Sequence, residues 1–343
     1  MILIGLFIIM VGAFCQASSY VPINKIKEWS WESYWIVQGV FAWLVFPLLG
    51  ALLAVTGGHS LMELYTADPK ATFLTIFFGM LWGVGGLTFG LSMRYLGVAL
   101  GQSIALGICS ALGVIMTPVM KGLINGNFGV EVSTLTAAVI IGVIVSFIGI
   151  IIIGLAGSMR AKEDKGGEKK EEENRFNFGK GIVVALISGF MSACFSIGQG
   201  FGSQMFFPDT KPVFQGLPAV LLVTIGGFIV NACYCFFQNS KNKTWGDYKK
   251  GNLWGHNLVF CALAGILWYS QFFGLSLGRG FLQGSATLMA FSWCILMSLD
   301  VVFSNVWGII LKEWKGTSKK TVAILVIGLA ILVISTFLPE LLK

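Results

Sequence analysis

Asp300 stands near the middle of the apolar run 282–310, deeper in hydrophobic sequence than any other acid of the chain. A carboxyl at such depth in a bilayer costs roughly 2.5–3.5 kcal/mol on insertion scales, so it needs a function that justifies it. Two interpretations are open. The carboxyl takes up and releases a proton or accepts a hydrogen bond from a solute hydroxyl, or it only caps or pairs with another helix. Glu32, near the start of another apolar run, is the second candidate for proton coupling.

Amides and indoles recur in the apolar runs at helical spacing. An amide offers both donors and acceptors to a hydroxyl-rich ligand, and an indole offers a large apolar face. Trp35 and Gln38 are three residues apart, as are Trp268 and Gln271, so each pair shares a helix face. The predicted solute-binding residues are Gln16, Ser19, Tyr20, Trp35, Gln38, Trp82, Gln102, Gln199, Trp268 and Gln271. For any single glutamine, a hydrogen bond between helices is the alternative.

Long apolar runs carry these residues. Hydrophobic residues make up 56% of the chain and charged residues 11%, whereas a soluble domain has about a quarter of its residues charged. A membrane-crossing helix needs about 20 mostly apolar residues. Ten runs qualify, which we label α1 to α10: 2–21, 34–55, 72–93, 97–119, 134–155, 180–203, 214–237, 254–275, 282–310 and 321–338. We therefore predict an all-α membrane protein with ten transmembrane helices.

Positive charges predict the orientation of these helices. Of the 23 Lys and Arg residues, 18 lie in the loops that follow odd-numbered helices. Because positive residues favour the cytoplasmic side, we expect those loops in the cytoplasm and both termini in the periplasm of a bacterial inner membrane. The net charge of +7 thus faces anionic lipid, and no nucleic-acid partner is expected.

A hydrophilic segment divides the chain into two halves of five helices each. Residues 158–178 are rich in Lys and Glu and predict a disordered cytoplasmic linker between the repeats 1–157 and 179–343. Five is an odd number, so homologous halves would form an inverted repeat, an arrangement typical of alternating-access carriers. The tetrapeptide FGLS occurs at 89–92 and again at 273–276, the corresponding place in the second half.

Several functional classes lack the residues they need. The chain has two histidines, no phosphate-binding loop with its Gly-Lys-Ser/Thr signature, and cysteines only inside apolar runs. We therefore expect no catalytic residues, no metal and no cofactor other than a coupling proton. A membrane enzyme or a sensor is the alternative class, and an exporter of drugs, metabolites or amino acids is the alternative transporter. The aliphatic α5 and α10 predict a lipid-facing scaffold or a dimer contact, so a monomer and a homodimer both stay open.

Short motifs in both halves resemble those of the L-rhamnose–proton symporter family. They stand, in order, at 25–27 (KIK), 29–32 (WSWE), 93–97 (MRYLG), 125–128 (NGNF), 268–273 (WYSQFF) and 311–314 (LKEW). That family belongs to the drug/metabolite transporter superfamily. The resemblance implies ten helices with external termini, and uptake of L-rhamnose, or of L-lyxose or L-mannose, coupled to inward proton flow. It supplies no list of site residues.

Overall fold

A computed structural model of the chain describes residues 1–96, 98–164 and 171–342. Within these residues ten helices are long and apolar enough to cross a membrane, and no strand is present. The predicted all-α membrane protein with ten transmembrane helices is confirmed. The helices are α1 Ile2–Ser18, α2 Trp31–Leu52, α3 Pro69–Leu96, α4 Val98–Asn125, α5 Ala137–Asp164, α6 Glu171–Phe201, α7 Leu217–Asn242, α8 Gly251–Leu282, α9 Ala286–Ile310 and α10 Lys319–Leu341.

The helices extend beyond the apolar runs at many of their ends. α5 continues to Asp164 and α6 begins at Glu171, so the described parts of the predicted linker 158–178 are helical. Residues 165–170 lie outside the described residues. Polar residues continue a helix into water because the backbone hydrogen bonds do not depend on the hydrocarbon. Hydropathy therefore located the apolar part of each helix and missed its polar ends.

The chain forms two compact units, and each takes residues from both sequence halves. Unit 1 contains Met1–Gly83 and Gly198–Gly284, and unit 2 contains Val84–Ile197 and Ser285–Lys343. Of the three boundaries between the units, two fall inside α3 and α6 and the third lies between α8 and α9. The units thus differ from the two halves 1–157 and 179–343. Inverted symmetry between those halves stays a prediction.

In unit 1, α1 lies close against α8 because small residues face each other. A Cβ on Gly5 would lie 2.8 Å from the carbonyl oxygen of Gly278, and one on Gly12 would lie 2.8 Å from that of Ser270. Glycine allows the two backbones to approach closely. In lipid no hydrophobic effect drives helices together, so van der Waals contacts of this kind stabilise their association instead. The approach fixes the position of α8, which carries Trp268 and Gln271.

In unit 2, α5 and α10 pack tightly against each other. A Cβ on Gly149 would lie 2.8 Å from Cδ2 of Leu332, and Ser146 donates a 2.7 Å hydrogen bond to Ser335. Ile150 and Leu325 are fully buried in this contact. Both helices also carry exposed aliphatic side chains, among them Ile144, Ile148, Ile327 and Ile334, as a lipid-facing scaffold requires.

α2 is interrupted by a wider, π-helical turn at Val40–Val45, in which the Phe46 amide bonds the Phe41 carbonyl. Pro47 follows directly. Proline has no N–H for the carbonyl four residues earlier, which belongs to Trp43, and its ring clashes with that carbonyl. The backbone relieves the clash by widening the preceding turn, and such turns are frequent at functional sites.

Candidate transport site

Four indole rings meet in unit 1. The Trp43 centroid lies 5.6 Å from that of Trp35, 5.9 Å from that of Trp82 and 5.8 Å from that of Trp268, each with its plane nearly perpendicular to that of Trp43. The rings of Trp82 and Trp268 are 5.7 Å apart and tilted by 34°. Trp43 is buried, and the other three are half-buried. The structure brings together all three tryptophans that the sequence predicts as stacking faces.

Glycines provide the space for two of these rings. A Cβ on Gly227 of α7 would overlap the Trp82 ring, and one on Gly39 would lie 2.7 Å from Cε3 of Trp43. A side chain at either position would push an indole out of place, because packed interiors leave little free volume.

An asparagine of α7 fixes the orientation of Trp35. The Trp35 indole donates a 3.0 Å hydrogen bond to Oδ1 of Asn231. The Asn231 amide nitrogen in turn donates to the carbonyls of Gly227, at 2.9 Å, and Gly83, at 3.4 Å. This chain of bonds holds one wall of the cluster, and the sequence analysis missed Asn231. An amide inside the apolar run of α7 was the signal that could have found it.

Several buried polar atoms in this unit have no hydrogen-bond partner among the described residues. They are Gln16 Oε1, Gln38 Oε1, Trp43 Nε1 and Tyr269 Oη, together with Trp29 Nε1 and Ser276 Oγ. A buried polar group without a partner costs about 1–3 kcal/mol, so native structures rarely keep one without a reason. Two of these residues, Gln16 and Gln38, belong to the predicted solute-binding set. The hydroxyl groups of a polyol both donate and accept, so they suit unpartnered amide oxygens and indole N–H groups of this kind.

The other predicted residues of unit 1 have varied surroundings. Gln271 is buried and donates to the Trp268 carbonyl at 3.0 Å. Gln199 is buried and accepts from Arg279 at 3.4 Å. Ser19 is buried, but Tyr20 follows the end of α1 and is 52% exposed. Tyr20 is thus exposed while Ser19 beside it is buried, and a role of Tyr20 in solute binding stays a prediction.

Glu32 joins α2 to α7 and the loop after it. Its Oε1 accepts 2.9 Å hydrogen bonds from Asn242 and Thr244. Beside it, Asp247 accepts bonds from the Ser30 amide, at 2.7 Å, and the Ser33 hydroxyl, at 2.9 Å. This network connects two loops far apart in sequence. Its geometry favours a structural role for Glu32, and a role in proton coupling stays a prediction.

Asp247 lies outside the membrane-spanning helices, and its pKa is lowered. Burial alone would raise that pKa, but the bonds from Ser30, Ser33 and Lys250 favour the carboxylate and outweigh burial. Lys250 lies 3.4 Å from Asp247 and donates to the Glu28 carbonyl at 2.7 Å.

Asp300 and Gln102 belong to unit 2. Asp300 is 5% exposed, and its Oδ1 has no hydrogen-bond partner among the described residues. One turn or more before it on α9, the Trp293 indole donates to the Cys109 carbonyl at 3.2 Å, and Cys294 accepts from Ser110 at 3.0 Å. α9 is thus tied to α4 by its own polar groups, while the carboxyl remains unbonded on one oxygen. Gln102 is half-buried on α4.

A cavity of about 270 Å³ lies elsewhere in unit 1, between the helix Leu61–Ala67 and residues 201–207. Glu63, Asp68 and Gln204 contribute polar atoms to its lining, and none of the predicted site residues lines it. A 2.9 Å hydrogen bond from His59 lowers the pKa of Glu63.

The described residues contain ten helices long and apolar enough to cross a membrane, with buried polar side chains among them, and this defines a multi-pass membrane protein. Comparisons with known proteins identify its kind. The family model described as L-rhamnose-proton symport protein (RhaT) matches residues 1–341. Proteins named L-rhamnose-proton symporter from Shigella dysenteriae serotype 1 (strain Sd197) and Escherichia coli (strain 55989 / EAEC) are each 34% identical to the chain, over 97% of it and 96% of the relative.

The chain belongs to the L-rhamnose-proton symport protein family. The resemblance found in the sequence motifs is confirmed. The family is one of transporters, so the chain is a transporter and not an enzyme.

Proposed function

We propose that the chain imports L-rhamnose together with protons across a bacterial inner membrane by alternating access. L-Lyxose and L-mannose are the alternative substrates, since they share the ring hydroxyls of L-rhamnose and differ at the C5 substituent. Both termini are periplasmic in this proposal, and the chain is placed in the drug/metabolite transporter superfamily.

The observation that carries the proposal is the indole cluster of unit 1 with its unpartnered polar atoms. Trp82 and Trp268 are half-buried, and their rings lie 5.7 Å apart at 34°, so they can offer aromatic faces to the apolar side of a 6-deoxy sugar. Gln16, Gln38 and Trp43 supply the unbonded acceptors and donor for its hydroxyls. An apolar solute would leave those atoms unsatisfied.

Asp300 is the proton site of the proposal. A buried carboxyl with one unbonded oxygen can bind a proton without first breaking a hydrogen bond there. Moving one positive charge through 100 mV releases about 2.3 kcal/mol, enough for roughly 50-fold accumulation of a neutral sugar.

Uptake of labelled L-rhamnose by proteoliposomes under an imposed pH gradient tests the proposal. The wild-type chain should accumulate the sugar, and Asp300→Asn should abolish accumulation while exchange between internal and external sugar continues. Unaltered accumulation by Asp300→Asn would remove Asp300 from the mechanism. Gradient-driven efflux without uptake would instead support the exporter.

A further inference from the structure

The π-helical turn of α2 controls the direction in which Trp43 points. In an α-helix with 3.6 residues per turn, residues five apart lie on different sides. A turn with hydrogen bonds five residues apart brings such residues towards one face. Gln38 and Trp43 are five apart, and the wider turn covers most of the chain between them. The turn therefore moves Trp43 towards the side of the helix that carries Gln38.

Both side chains are deeply buried and keep one polar atom unbonded. Trp43 is 4% exposed and Gln38 is 3% exposed. The indole Nε1 only donates and the amide Oε1 only accepts, yet neither has a partner among the described residues, including each other. A donor and an acceptor left open on two side chains that the widened turn brings towards one helix face match a single hydroxyl, which accepts from one and donates to the other.

We infer that Trp43 is a specificity-determining residue, whose indole N–H donates to one ring hydroxyl of a monosaccharide while Gln38 accepts from that same hydroxyl. The inference rests on the proposed sugar uptake and adds a residue to it. The ring contacts of Trp43 use the apolar faces and edges of the indole, so ring packing alone does not require a buried N–H donor. A sugar that lacks the hydroxyl leaves two buried polar atoms unpaired, which sites of this kind reject strongly.

Binding of L-rhamnose and of its 2-deoxy, 3-deoxy and 4-deoxy analogues to the purified full chain, measured by titration calorimetry, tests the inference. For the wild-type chain, one analogue should bind at least tenfold more weakly than L-rhamnose. Trp43→Phe should bind L-rhamnose about tenfold more weakly, yet bind that one analogue as the wild-type chain does. Gln38→Ala should also bind L-rhamnose more weakly and bind that same analogue as the wild-type chain does. This second variant keeps the inference testable if Trp43→Phe does not fold.

Trp29→Phe is the matched control. Trp29 is also buried and its Nε1 is also unbonded among the described residues, but its ring packs on Tyr248 and Trp254, at 5.9 and 5.2 Å. This variant should keep the wild-type affinities for all four sugars.

Equal weakening of all four sugars by Trp43→Phe would indicate a packing role and overturn the inference, as would unchanged affinities. Absence of L-rhamnose binding to the wild-type chain would overturn the proposed function and this inference with it. Failure of the inference is therefore distinguishable from failure of the proposed function, because L-rhamnose still binds to the wild-type chain when only the inference fails.

Discussion

The indole of Trp82 lies against the α-carbon of Gly227, so closely that a Cβ on the glycine would overlap the ring. The glycine therefore sets the position of Trp82 and, through it, the 34° angle that Trp82 makes with Trp268. The contact between the Gly227 backbone and the Trp82 ring involves no polar group. The glycine therefore constrains the shape of the site by steric exclusion alone.

Gly227→Ala should lower the affinity for L-rhamnose about tenfold, because the added methyl displaces the Trp82 ring. Overpacking of this kind also costs roughly 1–3 kcal/mol of stability. Gly86→Ala in the same helix as Trp82 is the control, since a Cβ there meets nothing within 4 Å. Calorimetric binding and thermal unfolding measure the two effects, and equal affinities for both variants would contradict the steric argument.

Glu32 should prove structural rather than proton-coupled. Glu32→Ala leaves the Asn242 amide without its acceptor, while the Thr244 hydroxyl can still donate to Asn239 Oδ1 at 2.8 Å. The loss of the Asn242 bond costs about 1–3 kcal/mol of stability. Glu32→Gln keeps an acceptor oxygen and should cost less. Both variants, once folded in proteoliposomes, should still accumulate sugar under a pH gradient. Loss of accumulation by Glu32→Gln with intact sugar binding would instead assign the proton to Glu32.

Asp247 should make stability depend on acid pH. Its pKa in the folded chain lies below the unfolded value, which is about 3.9 for aspartate. The stabilisation is therefore fully present above pH ~4 and is lost as the pH falls through the lower, folded pKa. Thermal unfolding followed from pH 7 down to pH ~3 should show a steeper fall for the wild-type chain than for Asp247→Asn. Parallel curves would contradict the prediction.

The sequence predicts this fold well because hydrocarbon imposes a simple rule on it. A helix is the form in which a single apolar segment satisfies its own backbone inside a membrane, so ten apolar runs became ten helices. Trp35, Trp82 and Trp268 were predicted as stacking faces, and they do meet in one cluster. A tryptophan close to a polar residue in an apolar run can be recognised as a candidate binding residue from the sequence alone, without knowledge of the packing.

What the sequence could not supply depends on register and on distant partners. Trp43 stood inside an apolar run, and only the widened turn before Pro47 brings it towards Gln38; that proline was the one local sign. Glu32 was predicted for proton coupling because it is an acid at a membrane edge. Its bonding partners, Asn242 and Thr244, come from about 210 residues later, a proximity that no local pattern encodes.

The bond between Trp35 and Asn231 should couple the two residues in sugar binding. Trp35→Phe removes the donor of the 3.0 Å hydrogen bond, and Asn231→Ala removes its acceptor. Either change should weaken L-rhamnose binding several-fold by freeing one wall of the cluster. The double variant should bind no more weakly than the poorer single variant, which corresponds to a coupling energy of about 1 kcal/mol.

Trp245→Phe, which affects an exposed indole bonded to Ser240, should leave binding unchanged. Losses that simply add in the double variant would show that Asn231 acts through its bonds to the Gly227 and Gly83 carbonyls and not through Trp35.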